Sequence, residues 1–171
     1  QYLILVFQDV FMGVSLDTFD KVGGIHPRNK QLPSFRLATA GLNVAYGLKE
    51  YPDSGPKPTR VEFEPSEDQQ EIQAEVLYDQ EFTWDDSETN GFSYCCATDV
   101  KLCDVGKGKW KDVPSVEVNG RGISAKIPSC SVGFAYLWKS APVLGTEALP
   151  IYAANEFKLP AAPWIWPVVM T

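Results

Sequence analysis

The chain has 171 residues, enough for one ordinary domain or two small ones, and its 44% hydrophobic and 22% charged residues are typical of a folded globular protein. Its 22 acidic residues outnumber the 15 basic ones, so it lacks the cationic surface with which proteins bind nucleic acids or anionic membranes. No apolar run approaches the roughly 20 residues of a spanning helix, so we expect no membrane span.

The first part of the chain has the pattern of an α/β unit. Residues 3–7 and 10–16 are strand-like, and residues 17–33 form a predicted loop rich in Asp, Gly and Pro. A helix is predicted next, with an apolar stripe that recurs at spacings of three or four residues and consists of Leu37, Gly41, Val44 and Leu48. Pro33 suits the first turn of this helix, and Gly47 is a candidate C-terminal cap.

This α/β unit is incomplete by itself. One or two strands and one helix cannot cover both faces of a parallel sheet. Residues 1–50 are therefore expected to require chain beyond these 171 residues. The start at Gln1 rather than at Met leads us to expect a processed chain or a fragment.

A change of period marks a second region. Residues 51–58 contain three prolines and a glycine, which indicates a linker, and beyond them apolar residues alternate with polar or small ones. The alternating sets are Val61 and Phe63; Ile72, Ala74, Val76 and Tyr78; Phe82 and Trp84; Phe92, Tyr94 and Cys96; Val116 and Val118; Ile123, Ala125 and Ile127; and Phe134, Tyr136 and Trp138. Asn119-Gly120 predicts a hairpin. We predict an antiparallel β-sandwich or jelly-roll over residues 59–171, with an extended end at 159–171 whose indoles pack across a neighbouring face.

The four cysteines are predicted to form disulfides rather than a metal site. They are Cys95, Cys96, Cys103 and Cys130, and they lack the paired spacing of a zinc site. Adjacent residues on a strand point to opposite faces, so Cys95 and Cys96 should have different partners. We favour Cys96–Cys103 with Cys95–Cys130 over the swapped pairing. Two disulfides imply an oxidising compartment, secreted or lysosomal.

His26 is the only histidine of the chain. A lone histidine is more often structural or exposed than catalytic, but this one follows a predicted strand and precedes a predicted helix, where α/β folds place their active sites. The surrounding residues 23–31, GGIHPRNKQ, resemble the G-x-I-H-P-R-x-K-Q block of the sialate O-acetylesterases. Further resemblance to that family, in the same order along the chain, lies in Phe11-Met12-Gly13-Val14, Arg36-Leu37, Ala45-Tyr46-Gly47, the cysteine pattern and Leu159-Pro160-Ala161-Ala162-Pro163.

The resemblance implies that residues 1–50 are the C-terminal part of an SGNH-like three-layer hydrolase domain. Such serine esterases remove O-acetyl groups from sialic acids without a cofactor, and His26 would be the general base. None of Ser15, Ser34 or Ser54 lies in a Gly-rich strand-to-helix turn that would suit a nucleophile. The nucleophile is therefore expected on an N-terminal chain or segment of the same precursor.

The carboxylate that would orient His26 is less defined. Many SGNH enzymes have an Asp three residues before the histidine, where this chain has Gly23. We predict Asp20 as the nearest acid, with Asp17 next; the structural alternative is that both cap the loop through their own backbone amides. Arg28 is a candidate ligand for the sialic acid carboxylate, although such a residue more often holds a loop or pairs with an acid.

A non-catalytic role is the alternative function. The departure at Gly23 favours an inactive glycan-binding or structural module, whereas retention of His26 within its block favours the esterase. The five tryptophans could form a platform for sugar stacking, but aromatic residues at period two in a sandwich are more often core.

Overall fold

The computed structural model describes residues 10–18, 28–87, 89–103, 110–138 and 148–170. The elements are α1 (Gln31–Val44), β1 (Pro58–Pro65), β2 (Glu71–Tyr78), β3 (Phe82–Trp84), β4 (Phe92–Cys96), a short 3-10 helix (Val100–Leu102), β5 (Trp110–Asp112), β6 (Val116–Asn119), β7 (Gly122–Pro128), β8 (Ser131–Tyr136), β9 (Ile151–Ala153) and β10 (Trp164–Pro167). Most of this secondary structure is β-strand.

The predicted helix is confirmed as α1, with Pro33 in its first turn. It ends before Gly47, whose φ of +73° is a conformation that favours glycine and whose N–H donates to the Asn43 carbonyl at 3.1 Å. Of the predicted apolar stripe, Leu37 and Leu48 are 44% and 39% exposed, and Gly41 and Val44 are half-buried. The buried residues of α1 are Arg36, Thr39 and Ala40, since the helix turns Arg36 inward to a charged partner.

The predicted strand at residues 10–16 is also not formed. Its residues lie against α1 without strand pairing: a Cβ on Gly13 would come within 3.1 Å of the Leu37 side chain, and one on Gly41 within 3.2 Å of the Phe11 ring. A strand needs a neighbour for its backbone hydrogen bonds, and none is found among the described residues of this region. Residues 3–7 lie outside the described residues.

The second region folds as antiparallel sheets. Two four-stranded sheets have the orders β1-β2-β7-β6 and β10-β8-β4-β5, and β3 pairs with β9. The predicted alternation is confirmed in β2 and β7, where the apolar residues of the predicted alternating sets are buried while Glu71 and Glu75 are exposed. The predicted hairpin is confirmed between β6 and β7, where Gly120 has a φ of +57°.

Both four-stranded sheets contribute to one hydrophobic core. The rings of Phe63 on β1 and Phe134 on β8 meet edge to face, with centroids 6.1 Å apart. Trp164 on β10 is fully buried and packs against Phe134 and Phe92, as predicted for the extended end of the chain. Two antiparallel sheets that share one core are compatible with the predicted β-sandwich.

All four cysteines form disulfides, but the favoured pairing is wrong. The bonds are Cys95–Cys103 and Cys96–Cys130. The reason is the pairing of β4 with β8, which places Cys96 opposite Ser131, the residue next to Cys130. An irregularity between Cys95 and Cys96 shifts the register of the strand pair at this point. Cys95 is fully buried and is bonded to Cys103. The sequence carries no signal of this strand pairing.

Removal of the two disulfides should have unequal effects on stability. Cys96–Cys130 closes a separation of 34 residues and Cys95–Cys103 one of 8. Loop-closure entropy then predicts a loss of about 4 kcal/mol for Cys96→Ala with Cys130→Ala, and of about 2.5 kcal/mol for Cys95→Ala with Cys103→Ala. Urea unfolding of the two double variants measures both losses. A larger loss from the shorter loop would contradict this ranking.

Candidate functional site

Of the three predicted site residues, the structure describes one. His26 and Asp20 lie outside the described residues, so their placement stays a prediction. Arg28 is described and exposed, and it lies just before α1. Between Arg28 and α1, the Asn29 side-chain oxygen accepts a hydrogen bond from the Gln31 N–H at 3.0 Å, which orders the entry to the helix.

Residues that precede and follow this segment in sequence form a buried charged cluster. Arg36 on α1 donates from Nη1 to Asp17 Oδ1 and from Nη2 to Asp17 Oδ2, both at 2.6 Å. The Tyr152 hydroxyl on β9 donates to Asp17 Oδ2 at 2.7 Å. Asp17 and Arg36 are only 3% and 4% exposed. We call Asp17, Arg36 and Tyr152 the anchor cluster.

The anchor cluster also holds the backbone of the preceding segment. Arg36 Nη1 donates to the Val14 carbonyl at 2.6 Å, in addition to its bond with Asp17. Its Nε is buried without a hydrogen-bond partner among the described residues. The guanidinium therefore joins α1 to residues 14–17 by three short bonds in a region largely closed to water.

Asp17, the second candidate for the orienting acid, is engaged in a buried ion pair. Among the described residues, its carboxylate accepts hydrogen bonds from one bidentate arginine and one tyrosine hydroxyl. Its charge is compensated inside this cluster and both of its oxygens are engaged. Asp17 is thus poorly suited to orient an imidazole, and Asp20 remains the predicted acid.

The Tyr152 hydroxyl is held in its protonated form. Burial raises the pKa of Tyr152, and so does its hydrogen bond to the Asp17 carboxylate. The hydroxyl also accepts from the Leu149 N–H at 3.1 Å. A protonated hydroxyl is the form that can donate to a carboxylate, so the pKa and the geometry agree on the direction of the bond.

Sequence reasoning missed two members of this cluster. Arg36 enters the sequence prediction only through the Arg36-Leu37 pair of the family resemblance, and an arginine in a helix rich in Ala and Leu is the one signal that points to it. Tyr152 had no signal at all, because it lies 135 residues from Asp17.

A cleft of about 310 Å³ adjoins the anchor cluster. It is lined by residues 10–14, by Arg36 and Val44 of α1, by Asp53, Ser54, Gly55 and Lys57, and by Leu159, Pro160 and Ala162. Across the described parts of the chain, no group of three or more His, Cys, Asp or Glu side chains is arranged to hold a metal ion. Within those same parts, no helix is long and apolar enough to cross a membrane.

Comparison with known proteins identifies relatives for most of the chain. The sequence model of the family described as sialate O-acetylesterase C-terminal domain matches residues 62–168. The chain is 28% identical over 163 residues to the sialate O-acetylesterase of Mus musculus, which covers 92% of this chain and 28% of that protein. The proteins of the same name from Pongo abelii and Homo sapiens are 28% and 27% identical, each over 92% of this chain and 29% of their own length. The chain therefore spans less than a third of the length of these relatives.

Proposed function

The chain belongs to the sialate O-acetylesterase C-terminal domain family, and on that premise we propose that it is the histidine-bearing C-terminal part of a serine esterase that removes O-acetyl groups from sialic acids. The observation that supports the proposal is the similarity to sialate O-acetylesterases over 92% of the chain, together with the resemblance of residues 23–31 to the histidine block of that family.

The proposed reaction divides its roles between this chain and an N-terminal segment. A serine on that segment attacks the acetyl carbonyl, and His26 accepts the serine proton as general base. The imidazolium then donates this proton to the departing sugar oxygen, and water hydrolyses the acetyl-enzyme in a second cycle of the same base. Asp20 would orient the imidazole, and Arg28 would bind the sialic acid carboxylate. This chemistry uses side chains alone and requires no cofactor.

The exposed face of α1 supports the need for an N-terminal segment. Leu32, Phe35 and Leu37 on this helix are large apolar residues that are exposed in the described structure. An α/β fold covers such a helix face with a sheet. We infer that residues 1–50 complete an SGNH-like domain together with the N-terminal segment, that residues 51–58 link the two parts, and that residues 59–171 are an accessory β-sandwich.

The two disulfides support a secreted or lysosomal location.

Acetate release from O-acetylated sialic acid tests the proposal. The chain alone is expected to show no hydrolysis above the uncatalysed rate, because the nucleophile and the oxyanion hole supply most of the rate enhancement. The chain produced together with its N-terminal segment is expected to hydrolyse the substrate. The proposal is wrong if the chain alone is active or if both preparations are inactive.

A non-catalytic module is the second candidate. Gly23 at the position of the usual Asp is the observation that favours it. In that case the combined preparation would bind the glycan without releasing acetate, and substitution of His26 would leave binding unchanged.

A further inference from the structure

Tyr152 is attached rigidly to the β region. It lies on β9 between Ile151 and Ala153, which are both buried in the core. The Ile151 N–H donates to the Tyr136 hydroxyl at 3.2 Å, and the Ala153 N–H donates to the Leu159 carbonyl at 2.9 Å. A residue held in this way cannot follow small movements of its partners without disturbing the core.

The hydroxyl of this tyrosine reaches the first part of the chain. Its bond to Asp17 Oδ2 joins β9 to residues 14–17, and Asp17 is joined in turn to Arg36 of α1. Asp17 and Arg36, which are bonded to each other, thus flank the stretch of chain at positions 18–35. That stretch contains positions 20, 26 and 28, to which the proposed function assigns the orienting acid, the base and the substrate ligand.

We propose that Tyr152 is a positioning residue of the esterase, through which the β region fixes Asp17 and Arg36, the two anchor residues on either side of His26 in sequence. This inference rests on the proposed function. The bond acts through Asp17 and not on substrate: it holds the carboxylate, the carboxylate holds Arg36, and Arg36 holds the Val14 carbonyl. A general base that is misplaced by a fraction of an ångström loses rate without loss of substrate binding.

The test is Tyr152→Phe in the chain produced together with its N-terminal segment, with kcat normalised to the serines that react with a titrant. We expect kcat to fall about tenfold and KM to stay within about twofold, because the lost bond acts on Asp17, whereas the substrate ligand Arg28 lies just before α1, which keeps its own hydrogen bonds. The matched control is Tyr94→Phe, which removes a hydroxyl from a half-buried tyrosine on β4, outside the anchor cluster. It should leave both constants unchanged.

Hydrogen exchange supplies a second readout on the same preparations. In Tyr152→Phe, amides in peptides covering residues 10–28 should exchange at least about threefold faster, while β2 and β7 keep their wild-type rates. Unchanged exchange at 10–28, faster exchange throughout the β region, or an unchanged kcat would each overturn the inference. If the wild-type preparation releases no acetate, the proposed function fails, and exchange at 10–28 alone decides whether Tyr152 holds this segment.

Discussion

Replacement of Arg36 by Met is expected to lower the free energy of unfolding by about 3–5 kcal/mol, because it leaves the Asp17 carboxylate buried without its cationic partner. Both side chains are almost completely removed from water, and two short hydrogen bonds join them. The Tyr152 hydroxyl would remain on Asp17, but one neutral donor cannot compensate a buried charge. Urea unfolding of the variant and the wild type measures the difference.

The exposed ion pair between Lys57 and Asp53 provides the matched control. Its charged atoms are 3.0 Å apart, and each side chain is 48% exposed. Lys57→Met should therefore cost less than about 1 kcal/mol, since water screens this pair. A further variant that combines Arg36→Met with Asp17→Leu should recover much of the loss, because no unpaired charge is then buried. If Arg36→Met costs no more than Lys57→Met, the anchor cluster does not stabilise the fold.

His26→Gln is expected to lower kcat for acetate release by a factor on the order of 10⁴ or more, in the chain produced together with its N-terminal segment. Glutamine keeps a polar side chain of similar length but cannot accept the serine proton at neutral pH. KM should change little, because the imidazole is assigned to proton transfer rather than to binding. The rate of acetate release at saturating substrate measures the effect.

Two features of this experiment make it decisive. His26 is the only histidine of the chain, so no other imidazole of these 171 residues can take over its role. Lys49→Gln introduces the same side chain at an exposed position beyond the end of α1 and should leave kcat unchanged. Residual activity of His26→Gln within about tenfold of the wild type would remove His26 from the mechanism.

Local sequence patterns predicted the parts of the fold that local physics determines. In β2 and β7, apolar residues at alternate positions form the buried face, and Gly120 closes the hairpin because the turn needs a positive φ. The end of α1 is likewise local, since Gly47 takes the conformation that terminates it. Disulfide formation followed from the number and spacing of the cysteines.

Contacts between distant segments could not be predicted. The partner of Cys96 depends on the pairing of β4 with β8, and the bond from Tyr152 to Asp17 joins opposite ends of the chain. An apolar stripe on α1 was predicted from residue spacing, but the ion pair of Arg36 determines which side of the helix is buried among the described residues. For His26 and Asp20, a resemblance of residues supplied the roles, and local periodicity contributed only their position between a predicted strand and a predicted helix.

Labelling with a fluorophosphonate probe tests most directly whether this chain completes an active site whose serine lies elsewhere. The N-terminal segment of the same precursor would be treated with the probe alone, with this chain, and with the His26→Gln variant. The account predicts a labelled serine on the N-terminal segment only when the wild-type chain is present, because the serine needs the histidine as its base. Equal labelling in all three preparations, or a labelled serine within these 171 residues, would contradict it.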